Sequence, residues 1–232
     1  MSSRNYLPKG LAAFWPMDEP TGQNRLNALD NATHVLAQAG GVAQVAGPNA
    51  SIPNATGVSS VGPTTLWLSN DATLYAGGAF SCRLLAAIQA GSGPPNLMVM
   101  VQHAGSALPF TLACMENGAG EIDLYVNDLT DVNFLYGASL ANQVAADGQW
   151  HDYVVTYDGT VFMVWLDATL VGIFTSPWQI PALTVDFSLG GNIPTTHTST
   201  VHSCQGAFWG RVLGAGEVEA LFNNGDFLPG PW

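Results

Sequence analysis

Glu121-Ile122-Asp123-Leu124-Tyr125 is where the chain comes nearest to a working pair of carboxylates. Retaining glycoside hydrolysis needs two carboxyl groups about 5–5.5 Å apart, one as nucleophile and one as acid/base. A β-strand can supply such a pair from alternate positions, because side chains two apart share a face. Here Tyr125 and Val126 fill both places where the second glutamate could stand. No other strand-like stretch sets two glutamates at alternate positions. His34, His103, His151, His197 and His202 are scattered and make no HExxH spacing. The chain has no GxSxG elbow and no Walker loop. These residue types, in this pattern, predict no catalysis.

The same strand suits a different chemistry. Saccharide recognition uses an aromatic face for the sugar's C–H surface and a few amide or carboxylate groups that orient its hydroxyls. Tyr125, on the polar face of its strand, and Trp178, in a proline-bounded loop, are the candidate aromatic contacts. Asp123 and Asn127 are the candidate hydrogen-bonding partners.

Composition narrows the classes further. Five Lys and Arg face seventeen Asp and Glu among 232 residues, a formal charge of -12. No Lys or Arg occurs from Leu84 to Gly210. Nucleic-acid affinity rests on clustered basic side chains, so a phosphate-binding surface is excluded. An anionic membrane is disfavoured for the same reason. Only 9% of residues are charged, against about 25% in an ordinary soluble domain. Such a chain either carries a Ser/Thr/Asn/Gly exterior or buries part of its surface against partners. The N-terminal residues lack the apolar core of about 7–15 residues that a signal peptide needs. No apolar run reaches the ~18 residues of a membrane span. Cys82, Cys114 and Cys204 are odd in number and have no CxxC spacing. Buried free thiols are expected rather than a disulfide framework or zinc site.

The elements that must position these residues centre on Asp147–Gly172, DGQWHDYVVTYDGTVFMVWLDATLVG. Side chains alternate from Trp150 to Tyr157 and again from Val161 to Leu166, the period of a strand. Asp147-Gly148 and Asp158-Gly159 are turn pairs, and Asp167-Ala168-Thr169 turns the chain once more. Three short strands are predicted, rich in β-branched and aromatic residues, with both faces largely covered. Upstream, strands are expected at Thr65–Leu68, Phe80–Gln89, Leu97–Gln102, Phe110–Met115 and Glu121–Val126. Gly40–Gly62 is Gly/Pro/Ala/Ser/Asn-rich and reads as loop or weak strand. Near the C-terminus, Val218, Leu221 and Phe222 fall at i, i+3, i+4, predicting a short helix with Gly225 as its C-cap.

The central run resembles the DGQWHxVxxTYDG…LYVDGxLVG signature of laminin-G-like domains in the concanavalin A-like lectin/glucanase superfamily. Ala168 departs from it, standing where that family usually has glycine. Leu11–Gly22 (LAAFWPMDEPTG) is similar to the family's opening strand, and Gly206–Gly225 to its closing motif GxxWNRxLsaxEixaLYNNG. The resemblance implies an all-β, antiparallel jelly-roll β-sandwich of the concanavalin A-like type with one short C-terminal helix. One domain over 11–226 is expected, with an N-terminal arm at 1–10 and a tail at 227–232. Trp15, Trp150 and Trp209 fall at family core positions, and burial is expected for them and for Trp67.

Family 16 glycoside hydrolases of this superfamily carry ExDxE or ExDxxE, and this chain lacks the final Glu. Laminin-G-like domains often bind Ca²⁺ at a sandwich rim through loop oxygens, as a hard cation prefers. Asp128, Asp131 and Asn133 are the corresponding candidates here, with Asp30-Asn31 in another loop; a solvated acidic loop is the alternative. The function expected is a non-catalytic recognition and structural module on a larger particle, such as a virion decoration or tail component of a bacteriophage. Its partners would be other subunits, self included, and a cell-surface glycan. A free carbohydrate-binding lectin is the alternative, and a hydrolase with unfamiliar site residues a third.

Overall fold

The computed structural model describes residues 9–30, 32–39, 42–58, 65–68, 73–88, 96–102, 110–116, 122–127, 134–140, 147–176, 187–189, 200–227 and 230. Of these, 39, 58, 65–68, 96–102, 110–116, 122–127, 134–140 and 187–188 are described by their backbone alone.

Among the described residues, fifteen strands form two antiparallel sheets. The first contains β1 (Leu11–Trp15), β3 (Ala43–Asn49), β4 (Ile52–Val58), β6 (Phe80–Ile88), β11 (Trp150–Tyr157), β12 (Val161–Leu166), β13 (Thr169–Thr175) and β15 (Val201–Trp209). Its order is β13-β12-β11-β6-β15-β4-β3, and β1 also pairs with β15. The second contains β2 (Ala37–Ala39), β5 (Thr65–Leu68), β7 (Asn96–Gln102), β8 (Phe110–Glu116), β9 (Ile122–Asn127), β10 (Phe134–Leu140) and β14 (Phe187–Leu189). It runs β10-β9-β8-β7-β14-β5-β2. Neighbours distant in sequence, such as β6 between β11 and β15, give the crossovers of a jelly roll. The sandwich expected from the sequence is the fold observed.

The core lies between the sheets, where alternation aims every second residue inward. Cys82, Val155, Val164 and Phe208 share one row across four strands of the first sheet, all at most 2% exposed. Leu189 of the second sheet joins the same cluster at 0% exposure. Phe80, Tyr157 and Phe162 stack beside them, with ring centroids 4.2–6.4 Å apart.

The opposite face of the first sheet carries helix α1 (Ala215–Phe222). Val218 and Leu221 seat it on Phe14, Val154, Trp165, Ala207 and Trp209. Polar groups fix it there. Buried Arg83 pairs with Asp152 at 2.8 Å and donates to the Leu221 carbonyl at 3.3 Å, near the negative end of the helix. Ser81 Oγ donates to the Arg211 carbonyl and accepts from the Leu213 N–H. At the other end, Glu217 Oε2 accepts the Gly214 N–H at 2.9 Å.

Four expectations need correction. Gly40–Gly62 contains a hairpin, β3–β4, rather than loop or weak strand. Its local signals are poor, but β4 pairs with β15 at Val201, His202 and Ser203, so the sheet imposes the conformation. A Cβ on Gly47 would lie 2.0 Å from the Ile52 carbonyl oxygen, which explains a glycine inside that strand. The helix closes at Asn223, in the left-handed region at φ 50°, two residues before the expected Gly225. Coverage of the central hairpin fails at β13, where Ile173 is 64% and Leu170 38% exposed, because that strand ends the sheet. Trp15 and Trp209 are fully buried as expected, whereas Trp150 is only partly so.

Candidate saccharide-binding face

Strand β9 holds three of the residues singled out for sugar recognition. Asp123, Tyr125 and Asn127 take alternate positions, so they share one face of the second sheet. Leu189 identifies which face that is. It lies in the core and opens a row running Leu189, Met98, Cys114, Leu124 and Gly137 across five strands. Positions of the opposite parity therefore belong to the outer face of the sandwich. Asp123, Tyr125 and Asn127 are among them.

The register brings further aromatics to that face. Tyr136 of β10 is the direct partner of Tyr125, and Phe134 is the partner of Asn127. Directly opposed residues on antiparallel strands have Cβ atoms about 4.5–5.5 Å apart. The Tyr125 row then continues through Ala113, Val99 and Ser188 to Trp67. Aromatic positions thus flank a run of small residues across the sheet. Sequence reasoning did not single out Tyr136 or Phe134, and it expected Trp67 in the core, whereas Trp67 takes an outer-face position. The β9–β10 pairing could have found the first two, because a hairpin across the 127–134 loop sets Asn127 opposite Phe134.

Trp178, Asp128, Asp131 and Asn133 lie outside the described residues, as do Glu121 and Asn31. Among the described residues, no group of three or more His, Cys, Asp or Glu side chains is placed to hold a metal ion. Cys82 and Cys204 are buried, as expected. Burial drives the Cys204 thiol far above its ordinary range, so it is inert.

His151 and His202 both lie on strands. His202 is in β15, its ring 6.5 Å from that of Trp150. Partial burial lowers its pKa. His151 is in β11 and bridges two turns of the first sheet. Its Nδ1 lies 2.6 Å from Asp167 Oδ2, and its Nε2 lies 3.3 Å from Asp147 Oδ1. The hydrogen bond to Asp167 is the main cause of a raised imidazole pKa, opposed by burial and helped by both carboxylate charges. The two carboxylates meet opposite edges of one ring, so a single ion cannot be held by all three groups.

No family model and no curated protein matches the chain. Solved structures do. The binding domain of Paraclostridial Mosquitocidal Protein 1 aligns with a TM-score of 0.71 at 12% identity, over 94% of this chain and 53% of that one. The binding domain of botulinum neurotoxin DC, solved in complex with SialylT, aligns at 0.64 and 8%, over 94% and 52%. Domain 4 of AbnA, an extracellular arabinanase from Geobacillus stearothermophilus solved with arabinotriose, aligns at 0.69 and 12%, over 90% and 97%. The chain spans about half the length of the toxin domains and nearly all of the arabinanase domain. At these identities the likeness establishes a shared β-sandwich fold.

Proposed function

We propose that this protein is a non-catalytic recognition module that binds glycan on the outer face of its second sheet. The observation that carries the reading is the co-facing of Tyr125, Tyr136 and Phe134 with Asp123 and Asn127. Tyrosine rings offer flat apolar area at low entropic cost, and the Asp and Asn positions beside them can orient hydroxyls. The neighbours solved with arabinotriose and with SialylT support a glycan as ligand for a sandwich of this shape. The laminin-G-like signature of Asp147–Gly172 and the missing second glutamate beside Asp123 support binding without hydrolysis.

The module is displayed on a larger particle, of the virion decoration or tail type. The scarcity of charge and the exposed Leu170 and Ile173 of β13 support burial of part of its surface in an assembly.

The experiment is a glycan microarray followed by calorimetry on the leading ligand. Tyr125→Ala and Tyr136→Ala should each weaken binding about tenfold, a loss of about 1.4 kcal/mol. Both variants should keep the parent's melting midpoint within a few degrees. Unchanged affinity in both would remove this face from consideration, and hydrolysis of the bound glycan would end the non-catalytic reading.

A further inference from the structure

We infer that the ligand is an uncharged, elongated saccharide, and that sugars bearing a carboxylate, such as sialic acids and uronates, are rejected. The inference rests on the glycan-binding reading and adds the ligand's chemical class. Its basis is where the chain's cations go. Carboxylate recognition relies on a guanidinium or ammonium that can form charge-assisted hydrogen bonds with both oxygens.

The chain has five such groups. Arg83 is fully buried and paired with Asp152. Arg25 is also fully buried, donating to Thr56 Oγ1 at 2.6 Å and to the Gln23 carbonyl, with Glu19 at 3.6 Å. Arg211 is engaged by both oxygens of Glu217, at 2.6 and 2.9 Å, and holds the Glu217 carboxyl below its ordinary pKa. Lys9 precedes β1, which pairs with β15 in the first sheet, and Arg4 lies outside the described residues. Every strand of the second sheet from β7 onward comes from the stretch without Lys or Arg. The N-terminus of α1, the other group suited to an anion, is closed by Glu217.

At the proposed face the balance is negative. Asp123 flanks Tyr125 in the strand, and an anionic sugar would meet repulsion with no compensating Lys or Arg among the described residues of this sheet. Hydroxyls carry no such penalty. The shape of the row adds length. Four strand spacings of about 4.8 Å separate the Tyr125 and Trp67 positions, roughly 19 Å across Ala113, Val99 and Ser188. Aromatic positions at both ends with small residues between them fit a chain of sugars lying across the strands better than a single ring.

The test is calorimetry and array binding on matched pairs: lactose-terminated glycans against their sialylated forms, and arabinotriose and xylotriose against uronic-acid-substituted xylotriose. Neutral members should bind at least about tenfold tighter than their carboxylate partners. Their affinity should stay within about twofold between 50 and 500 mM salt, because no ion pair is screened. Asp123→Asn should narrow the gap between neutral and carboxylate-bearing members about fivefold. Equal or tighter binding of carboxylate-bearing sugars overturns the inference and leaves the glycan-binding reading intact. Failure of every glycan to bind overturns both.

Discussion

His151 is the residue whose protonation has the clearest structural consequence. It links the turn before β11 to the turn between β12 and β13, through Asp147 and Asp167. Asp167 also accepts the Asp152 N–H at 2.9 Å, so the clamp continues into β11. Because the folded pKa is raised above the ordinary 6.5, the stabilisation is complete below that value. It is lost as pH rises through the raised pKa. His202 has the opposite sign: its pKa is lowered by burial, so its charging opposes folding as pH falls below 6.5. Melting midpoints followed across pH should fall on the alkaline side in the parent protein. His151→Gln should flatten that decline, and the same slope in the variant would show that His151 does not cause it.

At the scale of elements, the turn between β12 and β13 carries a defect that the sequence reveals and the structure explains. Asp167 and Ala168 both have positive φ, 50° and 61°. Two-residue turns of this kind match the twist of the strands they join and favour glycine. Alanine in the left-handed region costs roughly 1–2 kcal/mol. Ala168→Gly should therefore stabilise the protein by about 1 kcal/mol, less the backbone entropy that glycine adds to the unfolded chain. A denaturation midpoint equal to or below the parent's would count against strain at this turn. The central hairpin was legible because Trp150–Tyr157 and Val161–Leu166 alternate cleanly between punctuating Asp-Gly pairs. The β3–β4 hairpin was not, because Gly47, Pro48 and Pro53 erase the local signal and the pairing with β15 supplies the order.

For the whole molecule, the relevant surface is the β13 end of the eight-stranded sheet. Ile173 is 64% exposed there, and the strand Thr169–Thr175 carries no charge. Such strands invite association unless something covers them. Light scattering across a dilution series should find a trimer or larger species, or association that persists at low concentration. A monomer at every concentration would remove self-assembly from the particle-display reading and favour a free lectin. Ile173→Lys should shift any assembly toward monomer without lowering the melting midpoint of the monomer.

The strand-rich pattern, the lack of an ExDxE run and the scarcity of Lys and Arg were legible in residue types and local periodicity, whereas the jelly-roll class came from the resemblance to laminin-G-like domains. The first three depend on near neighbours or on counts, which a linear chain displays directly. Tyr125, Asp123 and Asn127 were legible for the same reason, since alternation along one strand sets their common face. The tertiary structure alone decided that Trp67 continues the Tyr125 row, and that Arg25 and Arg83 are turned to internal partners. These relations come from pairing between segments far apart in sequence. The local pattern of one segment carries no information about which strand its edge will meet.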